Sequence, residues 1–316
     1  MGTLTDIPGI LVGHATNLEA ATGCTVILCE QGAVPGVAIP GSATGTEETE
    51  MLKPGHVTDR IHGVCFAGGS AFGLEAASGV RHFLEQKGIG FATRSGPVPL
   101  VAGAILFDLG MATRGVRPTR EMGEAAAAAA SGKPVEEGAV GAGTGATVGH
   151  LLGPACMMKS GVGSASIQAG AARVAALAVV NAFGDVIDPS DGRIVAGTRK
   201  TAGSSEFANT ADAVLSGSTS GFTREHTTLV CVATDASLDR VQASKIAQMA
   251  TAGMARTLSP AFAMSDGDIV IVLSAGASKA PIDSIGVAAA RVVAESILRA
   301  VRLAPAMRGV PGLRTR

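Results

Sequence analysis

Two adjacent threonines, Thr227 and Thr228, stand between a charged turn and an apolar run in TREHTTLVCVATDA (residues 223–236). Threonines at the start of a strand are ordinary, because β-branched residues favour strands. A threonine hydroxyl is also a nucleophile when a neighbouring base activates it. The pair alone does not decide between these two interpretations, so the rest of the chain has to.

A second candidate is the pair of carboxylates in SDGD, Asp266 and Asp268. In a strand, side chains two residues apart point to the same face, so both carboxylates would lie side by side. A solvated turn before a strand is one interpretation of this segment. The other is a pair of acids that orients an ammonium group or a catalytic hydroxyl.

Several common motifs are absent. The glycine-rich segment GAGTGATVG (141–149) does not fit G-x-G-x-x-G or G-x-x-x-x-G-K-[ST], so a nucleotide cofactor is not expected. Closely packed strands, with backbone amides facing a pocket, explain its glycines better. The six histidines show no HExxH or HxH spacing, so no metal site is expected. A Ser-His-Asp triad remains open, although GGSAFG around Ser70 lacks the second glycine of G-x-S-x-G.

The five cysteines form no CxxC pair and are odd in number, which favours buried thiols in a reducing cytoplasm. Cys231, close after the threonines, is a conceivable nucleophile, but a core thiol is the simpler interpretation.

The composition favours a large, well-packed globular protein. Of 316 residues 47% are hydrophobic and 16% charged, the net charge is -1, and there is no Trp or Tyr. Nucleic acid is therefore not an expected partner. No uninterrupted apolar stretch of about 18 residues and no basic leader occurs, so we expect neither membrane insertion nor export. The surplus of apolar residues predicts a homo-oligomer.

Strands and helices alternate in groups along the chain. Apolar runs predict strands over 23–30, 62–69 and 102–110, and helical patterns cover 70–88, 120–132, 237–257 and 284–303. Ser70 is expected to cap the first helix and Gly88 to end it. Glycine-spaced strands fill the centre, and residues 190–226 read as a long exposed loop. The order predicts an α/β (α+β) fold, a four-layer αββα sandwich formed by one domain of residues 1–316.

The ordered set of segments resembles the DmpA-like L-aminopeptidase/D-esterase family, which includes β-aminopeptidases and nylon-oligomer hydrolases. The segments that carry the resemblance are TDIPGILVGHAT, TGCTVIL, GGSAFGLEAASGV, GAVGAGTGATVG, MKSGVGSAS, VVNAFGDVID, HTTLVCVATDA and DGDIV. Each segment alone is weak, but their order along the whole chain is specific. The resemblance implies the αββα fold of this family and of ornithine acetyltransferases.

The resemblance also implies self-cleavage. Members of the family are cut before a Ser or Thr that becomes an N-terminal nucleophile, which here points to the His226–Thr227 bond and to chains 1–226 and 227–316. The new α-amine of Thr227 would be the base, since α-amines titrate near pH 8. The implied oligomer is a tetramer of processed heterodimers, and the implied substrate is a small peptide or amide.

Further site residues follow from the same resemblance. Asn181 matches the amide that donates to the oxyanion, Asp266 and Asp268 match the carboxylates beside the nucleophile, and Lys159 lies in the K-G-G-type segment with Ser160 at a usual glycine. The resemblance also implies that His150 belongs to the catalytic centre. The substrate pocket is expected to contain Ser70, Phe72 and Phe107.

Three positions depart from the family pattern. His226 stands where Asn or Gly is typical, His150 where the nylon-hydrolase branch has a lysine, and Phe107 where a tyrosine is often found. A neutral imidazole at position 150 can donate a hydrogen bond or shuttle a proton, but it is not a fixed cation. Phe107 cannot donate a hydrogen bond at all.

Three hypotheses of function follow. The first is an N-terminal-nucleophile hydrolase that cleaves amide bonds through an acyl-Thr227 intermediate. The second is an acyl transferase similar to ornithine acetyltransferases, which passes the acyl group to an amine instead of water. The third is an uncleaved, non-catalytic homologue.

Overall fold

The computed structural model describes residues 2–218 and 226–315. Within these ranges the strands are β1 (Leu11–Asn17), β2 (Thr22–Ala38), β3 (Gly45–Glu47), β4 (Ile61–Ala67), β5 (Phe91–Thr93), β6 (Gly96–Val98), β7 (Val101–Ile105), β8 (Thr147–Val148), β9 (Met158–Lys159), β10 (Val162–Ala169), β11 (Ala172–Asn181), β12 (Asp185–Ile187), β13 (Ile194–Ala196), β14 (Thr227–Ala236), β15 (Leu258–Ser259) and β16 (Ile269–Ser278). The α-helices are α1 (Glu75–Gln86), α2 (Arg120–Ala128), α3 (Thr210–Leu215), α4 (Arg240–Thr257) and α5 (Ile282–Arg302).

One long strand, β2, belongs to two sheets. Sheet A has the order β10-β11-β14-β16-β2, and sheet B continues from β2 through β4 and β7 to β3, with β1 also paired to β2. The first part of β2 pairs with β4, whereas its last residues, Val34 to Ala38, pair with β16. Only β14–β16 and β4–β7 are parallel among these pairs.

Alternation along the strands creates three apolar layers. On β14, Leu229, Cys231 and Ala233 face sheet B, while Val230 and Val232 face helices α4 and α5. The outer face of sheet B packs on α1 and α2 through residues such as Val26 and Cys65. Since successive strand residues point to opposite faces, the layers run α1/α2, sheet B, sheet A, α4/α5. This confirms the predicted αββα sandwich.

Helix α4 shows why its sequence forms a helix. The Asp239 carboxylate accepts from the Gln242 N–H, and the Gln242 side-chain oxygen Oε1 accepts from the Asp239 N–H. The two bonds satisfy two otherwise unpaired backbone N–H groups. Small residues then allow α4 and α5 to pack closely. A Cβ at Gly253 would lie 2.2 Å from the Ala290 carbonyl oxygen, so this contact requires glycine.

Two predictions about local structure are corrected. Ser70 does not cap a helix: it begins a 3-10 helix, Ser70–Leu74, with φ +55°, and α1 starts only at Glu75 without a side-chain cap.

The segment 190–226 is not one exposed loop, because it contains β13 and α3 with Thr198 and Thr210 fully buried. The buried Asp185 carboxylate accepts hydrogen bonds from both threonines, and this fixes the segment to the protein. Residues 219–225 of that segment lie outside the described ranges.

The expectation of buried thiols is confirmed, since all five cysteines are buried and unbridged. Burial raises the pKa of the Cys231 thiol well above its ordinary value, so this residue is a core thiol and not a nucleophile. No helix in the described ranges is long and apolar enough to cross a membrane.

Candidate active site

The candidate site lies at one end of sheet A because of strand direction. β14 begins at Thr227 and runs antiparallel to β11, whose last residue, Asn181, is the Cα partner of Thr227. β16 runs parallel to β14 and begins at Ile269, so Asp266 and Asp268 lie just before it at the same end. The fold therefore brings together four residues that are far apart in sequence.

The bond that precedes Thr227 is held by two hydrogen bonds to its carbonyl oxygen. The Thr227 Oγ1 hydroxyl donates to the His226 carbonyl oxygen at 2.6 Å, and the Gly267 N–H donates to the same atom at 2.7 Å. Thr227 and His226 are only 4% and 2% exposed. A Cβ at Gly267 would lie 2.7 Å from Thr227 Oγ1, so the close approach depends on glycine.

The two aspartates form a buried pair of acids. Asp268 accepts from the Thr228 N–H at 2.6 Å, and Asp266 accepts from the Ala263 N–H at 2.9 Å. Burial, with the charge of Asp266 as a second cause, raises the pKa of Asp268 to about 8. Burial raises the pKa of Asp266 to about 6. Both carboxyl groups therefore titrate closer to neutral pH than an ordinary aspartate does, which suits acid–base chemistry.

Asn181 bridges the two sheets at this end. Its Nδ2 donates to the Phe107 carbonyl oxygen at 3.1 Å, and its Oδ1 accepts from the Thr147 N–H at 3.0 Å. Phe107 follows β7 of sheet B, so the amide fixes the sheets relative to each other beside Thr227. Fully buried and held on both atoms, Asn181 keeps one orientation.

His150 lies against the residue that precedes the nucleophile candidate. Its ring centroid is 4.4 Å from that of His226, and the His226 ring is 5.3 Å from Phe183. Thr147 holds the His150 ring, with its hydroxyl 3.2 Å from Nε2. Burial lowers the pKa of His150 to about 4, so the imidazole is neutral at pH 7.

Lys159 has the contacts of a buried structural lysine. Its ammonium donates to the carbonyl oxygens of Gly143 (3.1 Å), Ala146 (2.8 Å) and Ser160, which uses its three N–H bonds. Burial lowers its pKa to about 7, and the charge of Asp108 opposes that shift. None of these contacts joins it to Thr227, and a catalytic role for Lys159 stays a prediction.

Asp108 is a residue that the sequence did not single out. Its carboxylate, 2% exposed, accepts from the Thr22 hydroxyl and the Gly69 N–H, both at 2.7 Å. The only signal in the sequence is one acid inside the apolar run AILFDLG. With Phe107 and His150, Asp108 lines a small cavity of about 80 Å³.

The other pocket candidates lie on the sheet B side. The Ser70 N–H donates to the Leu106 carbonyl oxygen, which places Ser70 beside the chain that leads to Phe107. Phe72 is 62% exposed and contacts the Arg117 guanidinium, 4.9 Å from its ring centroid. In the described part of the chain no group of three or more His, Cys, Asp or Glu side chains could hold a metal ion.

The whole chain matches a known family of hydrolases. The model of peptidase family S58 matches residues 2–315, and the chain belongs to this family. It is a hydrolase of peptide or amide bonds, in agreement with the expected resemblance.

Named relatives agree with this assignment. The chain is 38% identical over 346 aligned positions to an uncharacterized aminopeptidase of Mycobacterium tuberculosis, covering 99% of this chain and 97% of that protein. It is 27% identical to the 6-aminohexanoate-oligomer endohydrolase of a Kocuria species, covering 85% and 74%.

Solved structures share the fold. The β-aminopeptidase of a Burkholderia species superposes with a TM-score of 0.69 at 25% identity, covering 99% of this chain and 91% of that one. The L-aminopeptidase D-Ala-esterase/amidase of Ochrobactrum anthropi, described as a variant of the Ntn-hydrolase fold, gives a TM-score of 0.75 at 20% identity, covering 98% and 88%.

Proposed function

We propose that the protein is a self-processing aminopeptidase or amidase that cuts its own His226–Thr227 bond and then hydrolyses small peptides or amides through an acyl-Thr227 ester. The observation that carries this proposal is the geometry at the bond, where the Thr227 hydroxyl and the Gly267 N–H both contact the His226 carbonyl oxygen. A hydrogen-bonded carbonyl oxygen accepts negative charge more readily when its carbon is attacked.

Cleavage would proceed by an N-to-O shift. Thr227 Oγ1 attacks the His226 carbonyl carbon, the C–N bond breaks, and the hydroxyl proton ends on the Thr227 nitrogen. Water then hydrolyses the ester, which leaves a carboxylate on His226 and a free hydroxyl and α-amine on Thr227. The buried acids Asp266 and Asp268 are suited to accept and return the proton, because their pKa values are raised towards neutrality.

Catalysis on a substrate would use the same atoms. The α-amine of Thr227 takes the hydroxyl proton and passes it to the leaving amine, with the acyl group now on Oγ1. Asn181, fixed beside Thr227, is suited to donate to the oxyanion, and the two aspartates lie where they would stabilise the new α-ammonium group. Asp266 and Asp268 would lose their protons as that positive charge forms.

Intact-mass spectrometry tests the proposal directly. Wild-type protein should give two masses, those of residues 1–226 and 227–316, together with amidase activity. Thr227→Ala should give one intact, inactive chain, while Thr228→Ala, the matched control, should still be cut because its backbone N–H to Asp268 remains. An uncut and fully active wild-type chain would overturn the proposal.

We also expect a homo-oligomer, with a tetramer of processed heterodimers as the specific expectation. Helices α4 and α5 form an outer layer on which Val241 and Val287 are each 66% exposed. Exposed apolar side chains on a packed layer are typical of subunit contacts. Light scattering on the purified protein tests this expectation, and a monomer at micromolar concentration would contradict it.

A further inference from the structure

The His226 side chain occupies a defined position beside Thr227. It is 2% exposed, and its ring contacts the rings of His150 and Phe183 at centroid distances of 4.4 and 5.3 Å, tilted by 43° and 40°. Tilted contacts at such distances are favourable between aromatic rings. The walls on these two sides are themselves fixed, because Phe183 is fully buried and its carbonyl accepts from the His150 N–H at 3.1 Å.

The ester formed in self-cleavage is the same kind of species as the ester formed with a substrate. In the first, the acyl group of His226 is bonded to Thr227 Oγ1; in the second, the acyl residue of the substrate is bonded to the same atom. Both esters are then hydrolysed by water to a carboxylate and a free Thr227 hydroxyl. The uncut chain therefore resembles an enzyme with its own acyl residue in place.

We propose, resting on the function proposed above, that the mature enzyme prefers amide substrates whose acyl residue carries a planar ring, imidazole or phenyl, and that this ring takes the place of the His226 side chain against His150 and Phe183. Removal of residue 226 from the site after cleavage leaves a space shaped by two ring faces. A side chain of matching shape recovers the contacts that His226 makes in the uncut chain.

The charge near this space agrees with a neutral or weakly basic ring. His226 and Asp266 form a backbone bridge of the parallel type, which places the acid pair next to the residue. Burial keeps His150 neutral, with a pKa of about 4, so the ring wall does not repel an imidazolium group. An acidic acyl side chain would instead add a third acid beside this buried pair, and ionised like charges in a buried site are unfavourable.

The test compares self-cleavage with hydrolysis of added substrates. Cleavage rates of wild type, His226→Phe, His226→Leu, His226→Ala and His226→Asp are measured by intact mass after synthesis in a cell-free system. Mature wild-type enzyme is then assayed with the p-nitroanilides of the same five residues. We expect one order in both series, with His and Phe about tenfold above Leu and Ala, and Asp lowest.

A wall variant sharpens the test. Phe183→Leu keeps the apolar volume but removes the ring face, so the ratio of kcat/KM for the Phe substrate to that for the Ala substrate should fall to about one. Phe91→Leu, on an exposed strand remote from these contacts, is the matched control and should keep the ratio.

The outcomes separate the two proposals. If wild type is never cut and hydrolyses nothing, the proposed function fails. If it is cut and active but shows equal kcat/KM for ring and alanyl substrates, or different orders in the two series, only the present inference fails. Should Phe183→Leu not fold, the His226 series and the substrate series still decide the question.

Discussion

Two buried pairs of ionisable groups lie near the active-site end of the sandwich, and they differ in the signs of their charges and in their position relative to Thr227. Asp266 and Asp268 are two acids whose ionised forms would repel each other; they lie beside Thr227 and have raised pKa values. Asp108 and Lys159 carry opposite charges, and their polar atoms are taken up by backbone groups and Thr22. The difference teaches that burial alone does not make a group reactive. Asp108 and Lys159 have their hydrogen bonds satisfied and hold structure, whereas two neighbouring buried carboxyl groups cannot both ionise easily, so one of them keeps its proton near neutral pH.

The largest expected effect is on the rate of self-cleavage, which should depend on Asp268 far more than on Asp108. Asp268→Asn keeps an acceptor for the Thr228 N–H but removes the ionisable carboxyl, so self-cleavage should slow by about 100-fold or more. Asp108→Asn, the matched change in the other pair, should alter the rate by less than about tenfold. Intact-mass time courses measure both, and equal rates for the two variants would remove the distinction.

Stability should respond in the opposite sense. Lys159→Met leaves three buried carbonyl groups without their donor, so the free energy of unfolding should fall by about 1–3 kcal/mol. The measurement is the urea midpoint of the Thr227→Ala chain, which should stay uncut, compared between variants at one protein concentration. Asp268→Asn in the same background should not lower stability, because it relieves a buried like charge. A loss from Asp268→Asn as large as that from Lys159→Met would contradict the comparison.

The pH dependence of stability should differ in sign between Asp268 and Lys159. The pKa of Asp268 is raised from an ordinary 3.8 to about 8. The stability that its protonated carboxyl contributes to the fold is therefore complete below pH 3.8 and is lost as pH rises to about 8. The pKa of Lys159 is lowered from 10.5 to about 7, so its contribution is lost as pH falls from 10.5 to about 7.

Relative to the Thr227→Ala parent, the Asp268→Asn variant should therefore gain stability from pH 4 to 8, because only the parent has an Asp268 carboxyl to ionise over that range. The Lys159→Met variant should become less stable relative to the parent from pH 7 to 10, because only the parent gains stability as Lys159 loses its charge. Urea midpoints across the pH range measure both differences. Parallel pH curves for a variant and the parent would show that the substituted group has no shifted pKa.

The smallest effect is expected at Phe107, in the cavity beside Asp108. Phe107 lines the cavity of about 80 Å³ next to Asp108 and His150, so Phe107→Tyr has room for its hydroxyl and a polar group to bond. One added hydrogen bond is worth about 1 kcal/mol, which corresponds to about a fivefold change in kcat/KM. Steady-state kinetics with one anilide substrate give the change, and Phe91→Tyr on the exposed β5 strand is the control. A change above about 100-fold would mean that the hydroxyl joins the chemistry directly.

The layers of the fold could be predicted because their signals are local. The apolar rhythm of α4 and α5 and the continuous apolar runs of β11 and β14 are visible in short windows of sequence. Residues 190–226 were misjudged because their buried polar groups find partners: the Thr198 and Thr210 hydroxyls lie 2.9 Å apart, and the backbone N–H of each donates to Asp185. A polar segment that satisfies itself in this way leaves no apolar pattern to read.

The site was only partly predictable for a related reason. Thr227, Asn181, Asp266 and Asp268 stand at strand ends, where a resemblance to a family can point to single residues. Asp108, Thr147 and Phe183 act through partners distant in sequence, as in the bond from Thr22 to Asp108 across 86 positions. Which atoms those side chains contact is decided by the packing of two sheets, and no spacing rule contains that information.

The order of strands in sheet A has a consequence for the lifetime of a cut protein. β14 and β16 are neighbours, and they are flanked by β11 on one side and β2 on the other. The two strands of residues 227–316 in sheet A, β14 and β16, would therefore lie between strands that belong to residues 1–226. A break before Thr227 would be a nick in a single cooperative unit, and the two pieces could part only by global unfolding. The same interleaving means that cleavage can only follow folding, so the hydroxyl would be released for chemistry only in a correctly assembled molecule.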